Sequence, residues 1–390
     1  MKRTNYLPRP PAVPRGHGGF SLVELLVAVA IGLVLTLILM SIISRQEGAR
    51  RTLTSGNDLT SNSAYLSYVL DRELRSAGSG YSQGWTNTVG CVLRVARSNA
   101  TMLPRGSAFP APFASVPQTV TLAPVLIHAG AGTGGSDVLA VATGASGLGE
   151  TVLSVLPGSA AAGQIRLSNT LGVRGGDLIL LAEATRGCML QQVASPFTGG
   201  ATQVLNFGGT YALDTIDGVD LAGFTQANNA FVANIGNVTI NPPRLQLIGL
   251  GPNNTLLTYD MLRLNGLSDD KQLQPLVEGV VELRALYGIA DANGVLTSWV
   301  APTGGAYGIT ALTNGTTTAQ QTLRSIIAVR IGVVLRGDLV ERETVNATTV
   351  SFFNDLPGLT YTYNVPSGQE RQRFRAVEFT VPLRNVQLTY

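Results

Sequence analysis

From Phe20 to about Ser44 the chain is apolar almost without interruption, and Glu24 is its only charged residue. A run of this length reaches the ~20 residues a helix needs to cross a bilayer, which predicts a transmembrane helix over 20–44. Arg45, Gln46, Glu47, Arg50 and Arg51 mark the exit from the membrane. Beyond them Leu59, Leu66, Val69, Leu70 and Leu74 recur at helical spacing, while Asp71, Arg72 and Arg75 fall on other faces. The helix is therefore expected to continue over 45–78 as an amphipathic stalk, with Gly78 as a C-cap. Gly48, Gly56 and Asn57 are weak helix formers that would fray or bend its middle.

From Tyr81 the helical period is lost, and short apolar runs alternate with Gly, Asn, Pro and Thr turns. Strands are expected at Thr119 to Ile127, Asp137 to Ala142, Thr151 to Leu156, Asp177 to Ala182, Leu245 to Leu250, Leu256 to Leu264 and Val277 to Ile289. Ile327, Val329, Ile331, Val333 and Leu335 alternate with Ala328, Arg330, Gly332, Val334 and Arg336, the period-two signature of a strand with one apolar face. Val377, Phe379 and Val381 alternate similarly before Leu383. The expected fold is α+β: a leader over 1–19, one long N-terminal helix, and a large β-rich head over 79–390.

Charge orients this scheme. Met1 to Gly19 carries Lys2, Arg3, Arg9 and Arg15 and no acid, and basic residues flanking a span hold that side in the cytoplasm. Pro8, Pro10, Pro11 and Pro14 argue against helix in the leader. A secretory signal peptide would close its apolar stretch at a small-residue cleavage site. A plain signal anchor explains the charges and the length, but not a carboxylate at Glu24, which lipid disfavours.

Composition narrows the chemistry. Only 13% of the 390 residues are charged and the net charge is +3. No basic patch is interleaved with aromatics, so no nucleic-acid partner is expected. Cys91 and Cys188 both fall outside the cytoplasm in this topology. An even cysteine count in an oxidising compartment suggests a disulfide, with two unpaired buried thiols as the alternative. His17 lies in the leader and His128 stands alone, so no metal site and no hydrolase triad can be assembled. Gly130-Ala131-Gly132-Thr133-Gly134-Gly135 has the dinucleotide glycine spacing, but a strand rather than a helix follows it, which makes it a hairpin loop. Asp291-Ala292-Asn293-Gly294 reads as a turn rather than a calcium loop. Asp269 and Asp270 beside Lys271 read as a solvated loop. No cofactor and no catalytic residue are expected, so the chain is not expected to be an enzyme.

Gly18-Gly19-Phe20-Ser21-Leu22-Val23-Glu24 resembles the N-terminus of type IV prepilins. The resemblance implies cleavage by a prepilin peptidase between Gly19 and Phe20, then N-methylation of Phe20. Glu24 would pair with the Phe20 ammonium of a neighbouring subunit and favour correct register. Further islands are similar to PilW-like minor pilins: Glu73-Leu74-Arg75-Ser76-Ala77-Gly78, Gly90-Cys91, Gly135 to Leu139, Gly176 to Leu180, and Glu278-Gly279-Val280-Val281-Glu282-Leu283 with Tyr287-Gly288-Ile289. Arg371 to Asn385 is similar too. Two features depart from that pattern: the Gly78-to-Cys91 spacing is longer and the leader is long and proline-rich. The resemblance implies an inner-membrane, single-pass minor pilin with a periplasmic head, found in the pilus after assembly, that primes or caps assembly. Its partners would be other minor and major pilins and the inner-membrane assembly platform. A minor pseudopilin of a type II secretion system and a membrane-anchored adhesin or binding module are the rival readings.

Overall fold

The computed structural model describes Gly19 and residues 21–145, 153–156, 161–184, 186–200, 203–225, 230–345 and 347–390. One helix runs over Leu22–Arg75, and the strands follow it. The fold is α+β, as expected. Compact packing divides the chain into two units, 1–54 and 55–390.

In the first unit the helix exposes its apolar side chains throughout: Leu22, Leu25, Leu33, Leu37, Met40 and Ile43 all stand open. Its most apolar 18-residue window has a mean hydropathy of 3.0. The few hydroxyls turn inward to their own backbone. Thr36 Oγ1 donates to the Gly32 carbonyl at 2.7 Å, and Ser41 Oγ donates to that of Ile38 at 2.7 Å. No hydroxyl there needs a solvent partner, as a lipid-facing surface requires. Helix is assigned unbroken past Gly48, Gly56 and Asn57, where weak propensity suggested fraying.

In the second unit the helix is amphipathic. Leu59, Leu66, Val69, Leu70 and Leu74 are buried, and Leu66, Leu70 and Leu74 are fully so. Burying each such leucine contributes about 1.5–3 kcal/mol. The helix ends at Arg75, three residues before the expected boundary, and a turn leads to Gly78. Gly78 takes a positive φ of 82° and its N–H donates to Ala142 O at 2.8 Å.

Three sheets make up the rest. The first has the order Ala100–Leu103, Leu93–Arg97, Gly187–Gln192, Asp177–Glu183, Phe231–Asn237, Leu153–Ser154. Its pairings are antiparallel except that of Leu93–Arg97 with Gly187–Gln192. The second orders Leu273–Glu278, Thr255–Asp260, Arg244–Leu250, Val138–Thr143 and Val125–His128, and the third Leu296–Val300, Val280–Ala290, Ile326–Val340 and Gln372–Pro382. Both are antiparallel throughout. One core unites Leu66, Leu70 and Leu74 with Leu139 and Leu247 of the second sheet and Val329, Ile331 and Val333 of the third. A second core, including Ile179, Leu181, Met189 and Val232, lies on the far side of the first sheet.

Several strand expectations are corrected. Thr119 to Ile127 shortens to Val125–His128, with Thr121 in an isolated bridge to Val92. Leu256 to Leu264 stops at Asp260. Of Thr151 to Leu156, only Leu153–Ser154 is strand, and Thr151 and Val152 lie outside the described residues. The run from Val277 to Ile289 breaks into two strands at Gly279, which has φ +80°. A Cβ there would sit 2.8 Å from Arg336 O, too close for any other residue. Helix also recurs after Tyr81, over Thr317–Ser325, capped by Thr316 Oγ1 accepting from Ala319 N at 3.2 Å. The strand Ile326–Val340 has no single apolar face. The Phe352 ring lies against Gly332, and Val334 packs with Phe352, Phe353 and Phe374.

Candidate functional site

Ser21 precedes the long helix, and Glu24 lies in its first turn. The Ser21 N–H donates to Glu24 Oε2 at 3.0 Å, and the Val23 N–H donates to Ser21 Oγ at 3.2 Å. This reciprocal pair is a capping box. It satisfies two N-terminal donors and sets a negative charge at the positive end of the helix dipole. The Ser-x-x-Glu spacing was legible in the sequence, but the apolar context drew attention to the charge alone. Glu24 therefore has a partner within its own chain. Phe20 lies outside the described residues.

Gly19 is exposed, and a Cβ built on it would meet nothing within 4 Å. Nothing in this chain's own packing requires glycine there. Any such requirement must come from another molecule that approaches the backbone.

Cys91 and Cys188 are joined in a disulfide, with Cα atoms 5.7 Å apart. Both are buried, and Leu93 stands opposite Cys188 in the parallel strand pair. The bond ties the turn that leaves the helix to a strand 97 residues further along.

The head holds a polar centre that sequence reasoning missed. Asp137, Glu282 and Arg284 meet between the second and third sheets. Asp137 Oδ2 accepts the Ala285 N–H at 3.0 Å, and Oδ1 accepts that of Gly130 at 3.0 Å. Burial pushes the Asp137 carboxyl above its ordinary value, against the pull of those two N–H donors and of Arg284. Glu282 accepts from Ser136 Oγ and from Tyr361 OH, both at 2.8 Å. The Arg284 guanidinium lies 4.4 Å over the Tyr361 ring and donates to its hydroxyl at 3.0 Å. Charged residues at alternate positions of an apolar strand were the available signal. Every member is satisfied by a neighbour, so the centre staples two sheets rather than performing a reaction.

Asp269 is likewise not a solvated loop residue. It pairs with Arg105 at 2.5 Å and Arg263 at 3.2 Å and accepts from Tyr259 OH at 2.7 Å. The Arg105 guanidinium holds its carboxyl below the usual range. Asp291 Oδ1 accepts the N–H groups of Asn293 and Val295, both at 2.9 Å, which closes the turn around Gly294. The glycine run 130–135 connects two antiparallel strands, as a hairpin loop does. Among the described residues no group of acidic, histidine or cysteine side chains is placed to hold a metal ion.

His128 is buried, and desolvation lowers its pKa to about 4 from 6.5. The folded state thus binds the proton less well than the unfolded chain. Stability is unaffected by this group above about pH 6.5 and falls as pH drops towards about 4, by about 3 kcal/mol. His128→Gln is expected to flatten urea-unfolding stability over that window relative to the parent. Equal slopes in the two proteins would refute this.

Comparison with known proteins adds two matches. Residues 252–385 match the family model described as type IV pilus-assembly protein W. Residues 14–40 match the prokaryotic N-terminal methylation motif, which takes in Gly19, Phe20 and Glu24. No curated protein and no solved structure matches the chain significantly.

Proposed function

This chain is a type IV prepilin-like protein of the PilW family, and from that premise we propose that it is a minor pilin that primes or caps pilus assembly. Its single apolar N-terminal helix and methylation motif fit an inner-membrane-anchored pilin. In this reading the chain spans the inner membrane once with the 79–390 head in the periplasm, and it enters the pilus after assembly. Prepilin peptidase cleaves between Gly19 and Phe20, and the new Phe20 amine is methylated. The chain works by assembling with other minor and major pilins on the inner-membrane platform, and it catalyses no reaction.

One observation carries the reading. The helix over 22–43 presents apolar side chains on every side, and its start bears a glycine that the chain's own packing does not need. Such a surface is stable in lipid and equally so among the helices of a filament. A deletion strain tests the assembly role. Loss of pili supports it; pili intact in number with surface binding lost would favour the adhesin reading. Failure of a type II secretion system instead of piliation would favour the pseudopilin.

Processing supplies a separate check. Mass spectrometry of the membrane-extracted protein should find methylated Phe20 at the N-terminus. Gly19→Val should leave the leader attached, because a branched side chain blocks close approach to the backbone. Normal cleavage of Gly19→Val would overturn the assignment of this junction.

A further inference from the structure

Most acidic side chains of the head have a partner. Glu73 takes Arg72 and Arg244, Glu341 takes Arg373, and Asp355 takes Arg330. Among the described residues Asp58, Glu278 and Asp338 take neither a hydrogen bond nor an ion pair, and all three line one cleft of about 200 Å³. The cleft lies between the head-proximal part of the helix and the end of the third sheet. The chain crosses from the second sheet to the third at Gly279, whose carbonyl accepts the Arg336 N–H at 2.7 Å. Beyond Arg336 the pairing with Gln372–Pro382 shifts register, and the outward step at Gly337 and Asp338 opens the cleft.

A second observation points to an occupant. Ser55 lines the cleft, is 2% exposed, and its Oγ has no hydrogen-bond partner. A buried hydroxyl left unmatched costs about 1–3 kcal/mol. Gly337 allows this approach, since a Cβ on it would lie 2.7 Å from Ser55 Oγ. Arg336, the single cation among the lining residues, is hydrogen-bonded to Gln369 and leaves the carboxylates in excess. No three of these acids are close enough to share a metal ion. Spread carboxylates beside an exposed Leu339 suit an extended side chain with an apolar stem and a cationic head.

We propose that this cleft receives the basic stretch of a neighbouring pilin, the segment that follows its membrane span. In this chain that segment carries Arg45 and Arg50, which have no carboxylate partner among the described residues. One arginine or lysine stem lies along Leu339, and its head group meets Asp58 and Asp338. Ser55 Oγ accepts its remaining proton. The inference rests on the pilin reading and adds the place where one subunit holds the next.

The test uses the full chain in cells with their other pilins, carrying a photo-crosslinking residue at Leu339. Illumination should yield an adduct with another pilin, mapped beside an Arg or Lys just past its apolar segment. The triple variant Asp58→Asn, Glu278→Gln, Asp338→Asn should lower the yield about tenfold or more. Glu343→Gln, an exposed acid outside the cleft, should leave the yield unchanged. Protease resistance equal to the parent's shows that the triple variant is folded. An adduct insensitive to the triple variant, an adduct with lipid, or one mapped to a segment without basic residues would overturn the proposal. So would calcium uptake abolished by the triple variant while the adduct persists. Where deletion abolishes pili but no adduct forms, the cleft assignment fails and the pilin reading stands. An adduct with a basic stretch of a protein that is not a pilin overturns the reading beneath it.

Discussion

Glu24→Ala should be synthesised, cleaved and embedded in the membrane, yet support few or no pili. The substitution removes a charge that lipid disfavours, so insertion should stay equal or improve. It also removes the acidic partner expected for the Phe20 amine of a neighbour. The next carboxylate along the helix is Glu47, which at 1.5 Å per residue lies more than ~30 Å away. The capping box introduces a competing explanation, because alanine also destroys the bond from Ser21. Glu24→Gln separates the two. Glutamine can accept the same N–H in a capping box but carries no charge. If the carboxylate pairs with an ammonium between subunits, Gln and Ala should both fail to make pili. If it serves only to start its own helix, Gln should assemble like the parent. The measurement is a membrane fractionation beside a pilus count by electron microscopy in the same strains. An unchanged pilus number in Glu24→Ala, where deletion abolishes pili, would remove any assembly role for this residue.

Breaking the Cys91–Cys188 bond should cost the head more stability than a typical single substitution. The bond closes a loop of 97 residues. Constraint of the unfolded chain over that length is worth about 4–5 kcal/mol in the entropy model, and measured losses run about 2–5 kcal/mol. The position adds to the effect. Cys188 sits in a buried strand between Leu93–Arg97 and Asp177–Glu183, so loosening it frees both neighbours. Urea unfolding of the parent with and without reductant, and of the Cys91→Ala, Cys188→Ala pair, measures this directly. Coincident curves for oxidised and reduced parent would show that the bond does not stabilise the head.

Much of the architecture could be read from neighbouring residues. The apolar run over 20–44 and the leucine stripe from Leu59 to Leu74 each declare a helix, because helical spacing is a local property. The same holds for the alternation from Ile327 to Leu335, since the strand period is also local. Misreadings fell where the local signal was ambiguous. Val277 to Ile289 read as one strand because apolar residues continue through it, and only the close approach of Arg336 O to Gly279 breaks it. The alternation around Val334 was right as a strand and wrong as a surface. Its second face is covered by aromatic residues from Phe352 onward, out of reach of any sequence window.

The sequence alone determined the prepilin-like N-terminus, the long helix, and a β-rich region after it. These follow from spacing within a few residues and from the length of an apolar run against the thickness of a bilayer. Tertiary structure alone decided which charges are buried and which stay unpaired. Glu73 is sheltered because Arg244, 171 residues away, reaches it at 2.6 Å. Asp269 leaves solvent because Arg105 and Tyr259 meet it, whereas Asp58, Glu278 and Asp338 come to one cleft with no partner. The physical reason is that a charge's cost and its compensation depend on distance in space. Strand pairing, not sequence spacing, brings such partners together.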